Sequence, residues 1–279
     1  MNDTALPVGD TSVPRTESPP RKWTLRTMWF LAVVLLAAIL LFPIRFDSLR
    51  MLEVGTLCLL WAGALYLWWN RRAVRYALVG SVAVGGLLLL APGRADDPAA
   101  FRSDYVAALR RYEGVTYVWG GETRLGVDCS GLTRAAFVDT CYQRGLATLN
   151  PALLREGLSM WWHDRSARAI GEGYRGESSA LFEARSINAL DHSRLLPGDL
   201  AVTGGGVHIM AYIGGSEWIE ADPKEMRVIR VRAPSDKVSW LDMPVTLVRW
   251  SRLAQQAAGM LEWRRASDLR RGVAIRPWG

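Results

Sequence analysis

The sequence predicts an α+β domain, with a cysteine-bearing helix packed on an antiparallel sheet, preceded by three transmembrane helices. Three observations predict it. The stretch before Gly93 holds three apolar runs, each close to the ~20 residues that a spanning helix needs. Cys129 stands where a loop of aromatics and glycines gives way to a helical pattern. Beyond Pro197 the chain breaks into short apolar runs separated by glycine turns, as strands do.

The apolar runs are Met28 to Ile44, Met51 to Trp69 and about Ala73 to Ala91. Short charged links, Arg45 to Arg50 and Asn70 to Arg72, join them, and Trp68, Trp69 and Tyr76 cluster near one boundary as interfacial aromatics do. Three such runs would overfill the core of a soluble domain of this size. A signal peptide would account for one of them, although Gly93-Arg94-Ala95 has the small-x-small form of a cleavage site. Residues 1–26, rich in Pro, Thr, Ser and charge, read as a disordered tail, and 27–93 as the membrane region.

The 279 residues carry 34 Lys and Arg against 27 Asp and Glu. Up to Gly93 the balance is 9 basic to 5 acidic, and beyond it 25 to 22, so much of the excess flanks the apolar runs. There it sets topology. Seven basic residues (Arg15, Arg21, Lys22, Arg26, Arg71, Arg72 and Arg75) lie on the side of the N-terminus, against Arg45, Arg50, Arg94 and Arg102 on the other. The bias predicts an inside N-terminus and a C-terminal domain facing the outside of the inner membrane. No basic-aromatic stripe or finger spacing points to nucleic acid. The three cysteines, Cys58, Cys129 and Cys141, form no CxxC pair, and no histidine-rich cluster points to a metal. Cys129 and Cys141 are 12 residues apart on one predicted helix, about 18 Å, too far for a disulfide.

The domain is expected over 97–250. Pro98 to Glu113 reads as a helix, with Tyr105, Ala108, Leu109 and Tyr112 on one face. A second helix runs from about Cys129 to Arg144. Leu146 to Leu196 reads as an insert with two helical pieces, its Trp161-Trp162-His163 suited either to packing or to a groove wall. Strands follow at Leu200 to Thr203, Val207 to Ile213, Glu217 to Ala221, Met226 to Arg232 and Val245 to Trp250, and a basic extension covers 251–279.

A thiol at the first turn of a helix has its thiolate favoured by the helix dipole, and a histidine on a facing strand completes a papain-type pair. His208 has the strand context; His163 and His192 lie in the insert. Cys141 reads as core.

Tyr117-x-Trp119-Gly120-Gly121, Asp128-Cys129-Ser130-Gly131-Leu132, Pro197-Gly198-Asp199-Leu200 and Val207-His208-Ile209, in that order, resemble the NlpC-type cell-wall peptidases, papain-like cysteine hydrolases of peptidoglycan stem peptides. The resemblance spans roughly Asp104 to Trp250. It implies Cys129 as nucleophile, His208 as base, Tyr117, Asp128 and Ser130 bordering the site, and no cofactor. It also implies a γ-D-glutamyl–diamino acid bond in peptidoglycan as the target. Where the family commonly has His, Asn or Gln, 12 residues after the base, this chain has Glu220, with Asp222 as runner-up at an equally even offset. Alternatives are an N-acetylmuramoyl-L-alanine amidase, another papain-like acyl-transfer enzyme and a non-catalytic membrane scaffold.

Overall fold

The computed structural model describes residues 21–254. The tail expected over residues 1–20 and the basic extension expected over 255–279 lie outside them. The three apolar runs form α1 (Arg21–Leu41), α2 (Asp47–Leu67) and α3 (Arg72–Leu90), each long and apolar enough to cross a membrane. α1 starts at Arg21, so the last six residues of the predicted tail are helical instead. Most side chains of these helices are exposed within the protein, as suits surfaces that lipid covers.

Asp97 caps α4 (Pro98–Arg110), its carboxylate accepting the Ala99 N–H at 2.9 Å with Pro98 at the first helical position. A two-residue hairpin, β1 (Glu122–Thr123) and β2 (Gly126–Val127), leads into α5 (Cys129–Ala147). Then come α6 (Pro151–Trp162), α7 (Ala167–Gly171) and β3 (Ser178–Ala184). The remaining strands are β4 (Leu200–Thr203), β5 (Ile209–Gly214), β6 (Glu217–Asp222), β7 (Arg227–Arg232) and β8 (Val245–Trp250). Antiparallel pairing gives one six-stranded sheet of order β3-β8-β4-β5-β6-β7. The α+β class expected from the sequence is the one observed.

The predicted insert differs from expectation. Its two helical pieces are present as α6 and α7, but 178–184 is an edge strand paired with β8. The run SSALFEA alternates weakly, and its outer positions are exposed or half-buried, so it lacks the apolar signature of a central strand. The segment is therefore part of the sheet and not only a lid or decoration. Trp161 and Trp162 pack on each other at 6.0 Å between ring centroids.

Both faces of the sheet are covered, which explains the unbroken apolar run of β5. Ile209, Ala211 and Ile213 face α4 and α5, with Phe101, Tyr105, Leu132, Phe137 and Trp250. Met210 and Tyr212 face the other way, with Trp218, Leu241 and Leu247. Cys141 is buried in the first cluster, as expected, and burial raises its pKa well above the usual thiol range. All three cysteines are free.

The Pro197-Gly198-Asp199 turn shows why its residues sit together. Gly198 has φ +95°, and a Cβ there would lie 3.1 Å from Leu253 and 3.2 Å from Tyr105. Fully buried Asp199 accepts Arg249 Nε at 2.6 Å and Nη2 at 2.7 Å, and its Oδ2 also accepts the Leu196 N–H at 2.8 Å. This bidentate pair ties the turn to β8. Arg249→Met strands the carboxylate inside, and the domain is expected to lose about 3–5 kcal/mol of stability, measured by chemical denaturation of the full chain in detergent.

The three apolar helices and their links are bonded to the domain at two places. Arg155 of α6 donates to the carbonyls of Leu89 (2.5 Å) and Ala91 (2.9 Å) at the end of α3. Asn150 accepts from the Arg94 N–H at 3.1 Å and donates to its carbonyl at 2.9 Å. The second place is the α1–α2 loop, where Ile44 and Gly121 form an antiparallel bridge.

Candidate active site

Cys129 is the first residue of α5, and Asp128 is its N-cap. Asp128 Oδ1 accepts the Gly131 N–H at 2.6 Å and the Ser130 hydroxyl at 3.0 Å, while Oδ2 accepts the Gly120 N–H at 2.8 Å. One carboxylate therefore starts the helix and holds the preceding turn against it. The glycines permit the approach. Gly120 has φ +72°, and a Cβ on Gly131 would fall 1.9 Å from the Gly121 carbonyl oxygen. Cys129 itself is half-buried, on the rim of the first core cluster.

Tyr117 arrives by a different route. Residues 114–118 run along the edge of β7, with Tyr117 N–H donating to the Met226 carbonyl at 2.9 Å and Thr116 bridging Arg227. Its hydroxyl is pushed up to about 12 by burial and then by the charges of Cys129, Asp128 and Asp222. It stays protonated at neutral pH and is available as a donor.

His208 sits just before β5, at the end of the Gly204–Gly206 turn. Its backbone N–H donates to Thr203 Oγ1 at 3.0 Å, and its carbonyl accepts the Thr203 N–H at 3.0 Å. The imidazole stacks on Trp240, with 4.4 Å between centroids and 18° between planes. Nε2 is hydrogen-bonded to Glu220 Oε2, and the side chain also interacts with Cys129. Burial alone would lower the His208 pKa. Hydrogen bonds to Cys129 and Glu220, and their charges, outweigh it and push it up to about 9. Glu220 is fully buried; desolvation raises its pKa, against the pull of the imidazole.

The structure thus brings Cys129, His208 and Glu220 into one cluster, bordered by Tyr117 and Asp128, with Ser130 bonded to the cap. Of the two candidate carboxylates, it is Glu220 and not Asp222 that is bonded to the imidazole. The β5–β6 register, with Tyr212 opposite Trp218 and Ala211 opposite Ile219, would place Asp222 across from residue 208 if continued. But β5 begins only at Ile209, and Glu220 is the carboxylate bonded to the ring. Asp222 instead closes the next turn, its Oδ1 accepting the Lys224 N–H at 2.6 Å. His192 accepts Trp218 Nε1 at 3.1 Å in the opposite core cluster, and His163 holds to Ser159 at 3.0 Å. Neither joins the cluster.

Trp240 and Thr203 also support the imidazole, and the sequence carries little sign of either. Trp240 lies in a short 3-10 turn between β7 and β8, with no local pattern that ties it to a histidine 32 residues earlier. Thr203 ends a predicted strand beside a glycine run, and a hydroxyl at such a corner was the available signal.

Residues 114–243 match the family model described as the NlpC/P60 family. The resemblance read from the motifs holds over that stretch. No curated protein matches the chain. Among solved structures, the chain is similar to the NlpC/p60 domain of peptidoglycan hydrolase SagA, at 22% identity, covering 53% of this chain and 97% of that one, with a TM-score of 0.32. It is similar to peptidoglycan hydrolase RipB from Mycobacterium tuberculosis, at 20% identity over 61% and 78% of the two chains, with a TM-score of 0.37. It is also similar to NlpC2 from Trichomonas vaginalis, at 18% identity and a TM-score of 0.37, covering 56% of this chain and 49% of that one.

The His208 titration tests the electrostatics of the cluster. Glu220→Gln removes one of the two groups that hold the imidazole protonated and leaves the Cys129 bond, so the midpoint, followed by NMR, is expected to fall below the wild-type value of about 9. Because the folded pKa is raised, the stabilisation from protonated His208 is complete below about 6.5 and fades as pH rises through about 9. Denaturation of the wild-type chain should lose stability across that window, and the Glu220→Gln chain should lose less of it.

Proposed function

We propose that this chain is a membrane-anchored cysteine peptidase. It hydrolyses an amide bond in peptidoglycan stem peptides, at the γ-D-glutamyl–diamino acid bond. The observation that carries the reading is the cluster of Cys129, His208 and Glu220, drawn from a helix start, a turn and a neighbouring strand. The NlpC/P60 match supports the substrate class.

In this reading His208 takes the Cys129 proton and becomes an imidazolium, which buried Glu220 orients through Nε2 and compensates in charge. The thiolate attacks the amide carbonyl carbon, the C–S bond forms, and the carbonyl electron pair moves to oxygen. The Cys129 N–H at the start of α5 and the neutral Tyr117 hydroxyl are the donors for that oxyanion. As the C–N bond breaks, the imidazolium gives its proton to the leaving amine. Water, deprotonated by the neutral imidazole, then attacks the thioester, and the C–S bond breaks to release the acid and the thiol.

Among the described residues no group of His, Cys, Asp and Glu is arranged to hold a metal, and no step above calls for one. The topology drawn from charge has the α1–α2 loop and the domain on the same, outer side of the inner membrane. Their bonding to each other supports that arrangement. The membrane region is an anchor over 27–93 and the hydrolase unit spans 97–250, with the bilayer and peptidoglycan as partners and no nucleic acid.

A second reading, the N-acetylmuramoyl-L-alanine amidase, has one observation in its favour: the imidazole partner is a carboxylate, as in amidase-type cysteine hydrolases. Both readings are tested by incubating the full chain in detergent with peptidoglycan and identifying the fragments by mass spectrometry. Free diamino-acid peptides with new N-termini are expected from the wild type, and none from Cys129→Ala. Stem peptides released whole from the glycan would transfer the assignment to the amidase, and equal products from both chains would remove cysteine catalysis altogether.

A further inference from the structure

The loop between α1 and α2 takes no part in the chemistry above, yet it is bonded to the segment that leads into Cys129. The Arg45 N–H donates to the Gly120 carbonyl at 2.8 Å, and the Glu122 N–H donates to the Pro43 carbonyl at 3.1 Å. Ile44 packs 3.2 Å from where a Gly120 Cβ would stand, and Pro43 lies at the same distance from that of Gly126. The loop is itself held in shape, since Arg45 Nη1 donates to Glu53 of α2 at 2.7 Å.

Arg50 adds a side-chain tie. Only 1% exposed, it donates through Nη2 to Glu122 Oε2 at 2.8 Å and through Nη1 to Asp47 at 3.2 Å. The other Glu122 oxygen is held by Arg134 of α5, which also reaches Asp164 at 2.8 Å and the His163 carbonyl at 2.8 Å. Residues 120–122 are thus bonded on one side to the membrane hairpin. On the other side they are bonded to the helix start, with Gly120 N–H on Asp128 Oδ2 and Asp128 N–H on the Gly121 carbonyl at 3.0 Å. Trp119, just before them, is 79% exposed and supplies little packing of its own.

We propose that the α1–α2 loop and Arg50 of α2 form a positioning element of the active site, holding residues 120–122 and, through Asp128, the Cys129 thiol. The proposal rests on the cysteine-peptidase reading for its purpose but not for its first readout. A wedge of this kind sets where the nucleophile stands relative to His208, and displacements of about 1 Å in such a geometry cost up to about 100-fold in rate.

The test uses the full chain in lipid nanodiscs with Cys58→Ser, so that alkylation of Cys129 by iodoacetamide is followed by peptide mass spectrometry without the exposed membrane thiol. Rates are taken from about pH 5 to about pH 9, alongside kcat and KM for peptidoglycan fragments. Arg50→Ala is expected to slow Cys129 alkylation about tenfold at neutral pH, to move its pH profile to higher pH and to lower kcat with little change in KM. Arg50→Lys should recover most of it. Ile44→Gly, which leaves every ion pair in place, should move the same readouts in the same direction. Wild-type alkylation profiles and turnover in both Arg50→Ala and Ile44→Gly would overturn the proposal. So would a loss that merely follows lowered thermal stability and is not restored by lysine. A shifted alkylation profile in a chain whose wild type cuts no peptidoglycan would sink the proposed substrate and leave the positioning role standing.

Discussion

The Asp128 carboxylate is the point on which the site's geometry depends. One oxygen satisfies a free N–H at the start of α5, and the other holds the Gly120 N–H. Without it the helix would still have its apolar face against the sheet. Its first residue would not be fixed against the turn that precedes it. The glycine pair, the exposed Trp119 and the two-residue hairpin all surround this contact, and a side chain on Gly131 would push the Gly121 carbonyl away from it.

A second constraint is charge kept inside. Asp199 with Arg249, Arg134 with Glu122, and Glu220 with His208 are buried pairs whose partners come from different elements of the fold. Such pairs add little net stability over apolar substitutes, but breaking one leaves a charge stranded. Each therefore selects a particular arrangement of elements. One of the three carries the imidazole of the cluster and another ties the segment before Cys129 to α5, so specification of the fold and construction of the site draw on the same residues.

Much of this was legible from local pattern. The three apolar helices, α4 and α5 follow from length, periodicity and capping residues, and β5, β6 and β8 from runs that a covered sheet demands. Cys129 and His208 were legible because each stands at an element boundary with a motif around it. The position of Glu220 follows from its 12-residue offset from His208, although the strand register by itself points to Asp222; β5 starts only after His208, and Glu220 is the carboxylate bonded to the ring. The strand at 178–184 was missed because an edge strand need not be apolar, and Trp240 because a stack across distant segments leaves no periodic trace. The contact between the α1–α2 loop and Gly120–Glu122 was equally silent, since backbone bridges do not depend on side-chain identity.

The clamp of Arg155 and Asn150 on the end of α3 has its own consequence. A catalytic unit on a flexible tether samples a volume set by linker length, and lengthening the linker extends it. Here the chain passes from α3 into α4 through a segment whose carbonyls and main-chain groups are already taken by α6. On the proposed reading, with the three helices in a bilayer, the Cys129 thiol would stand at a fixed height above it, and only substrate brought to that height would be within reach.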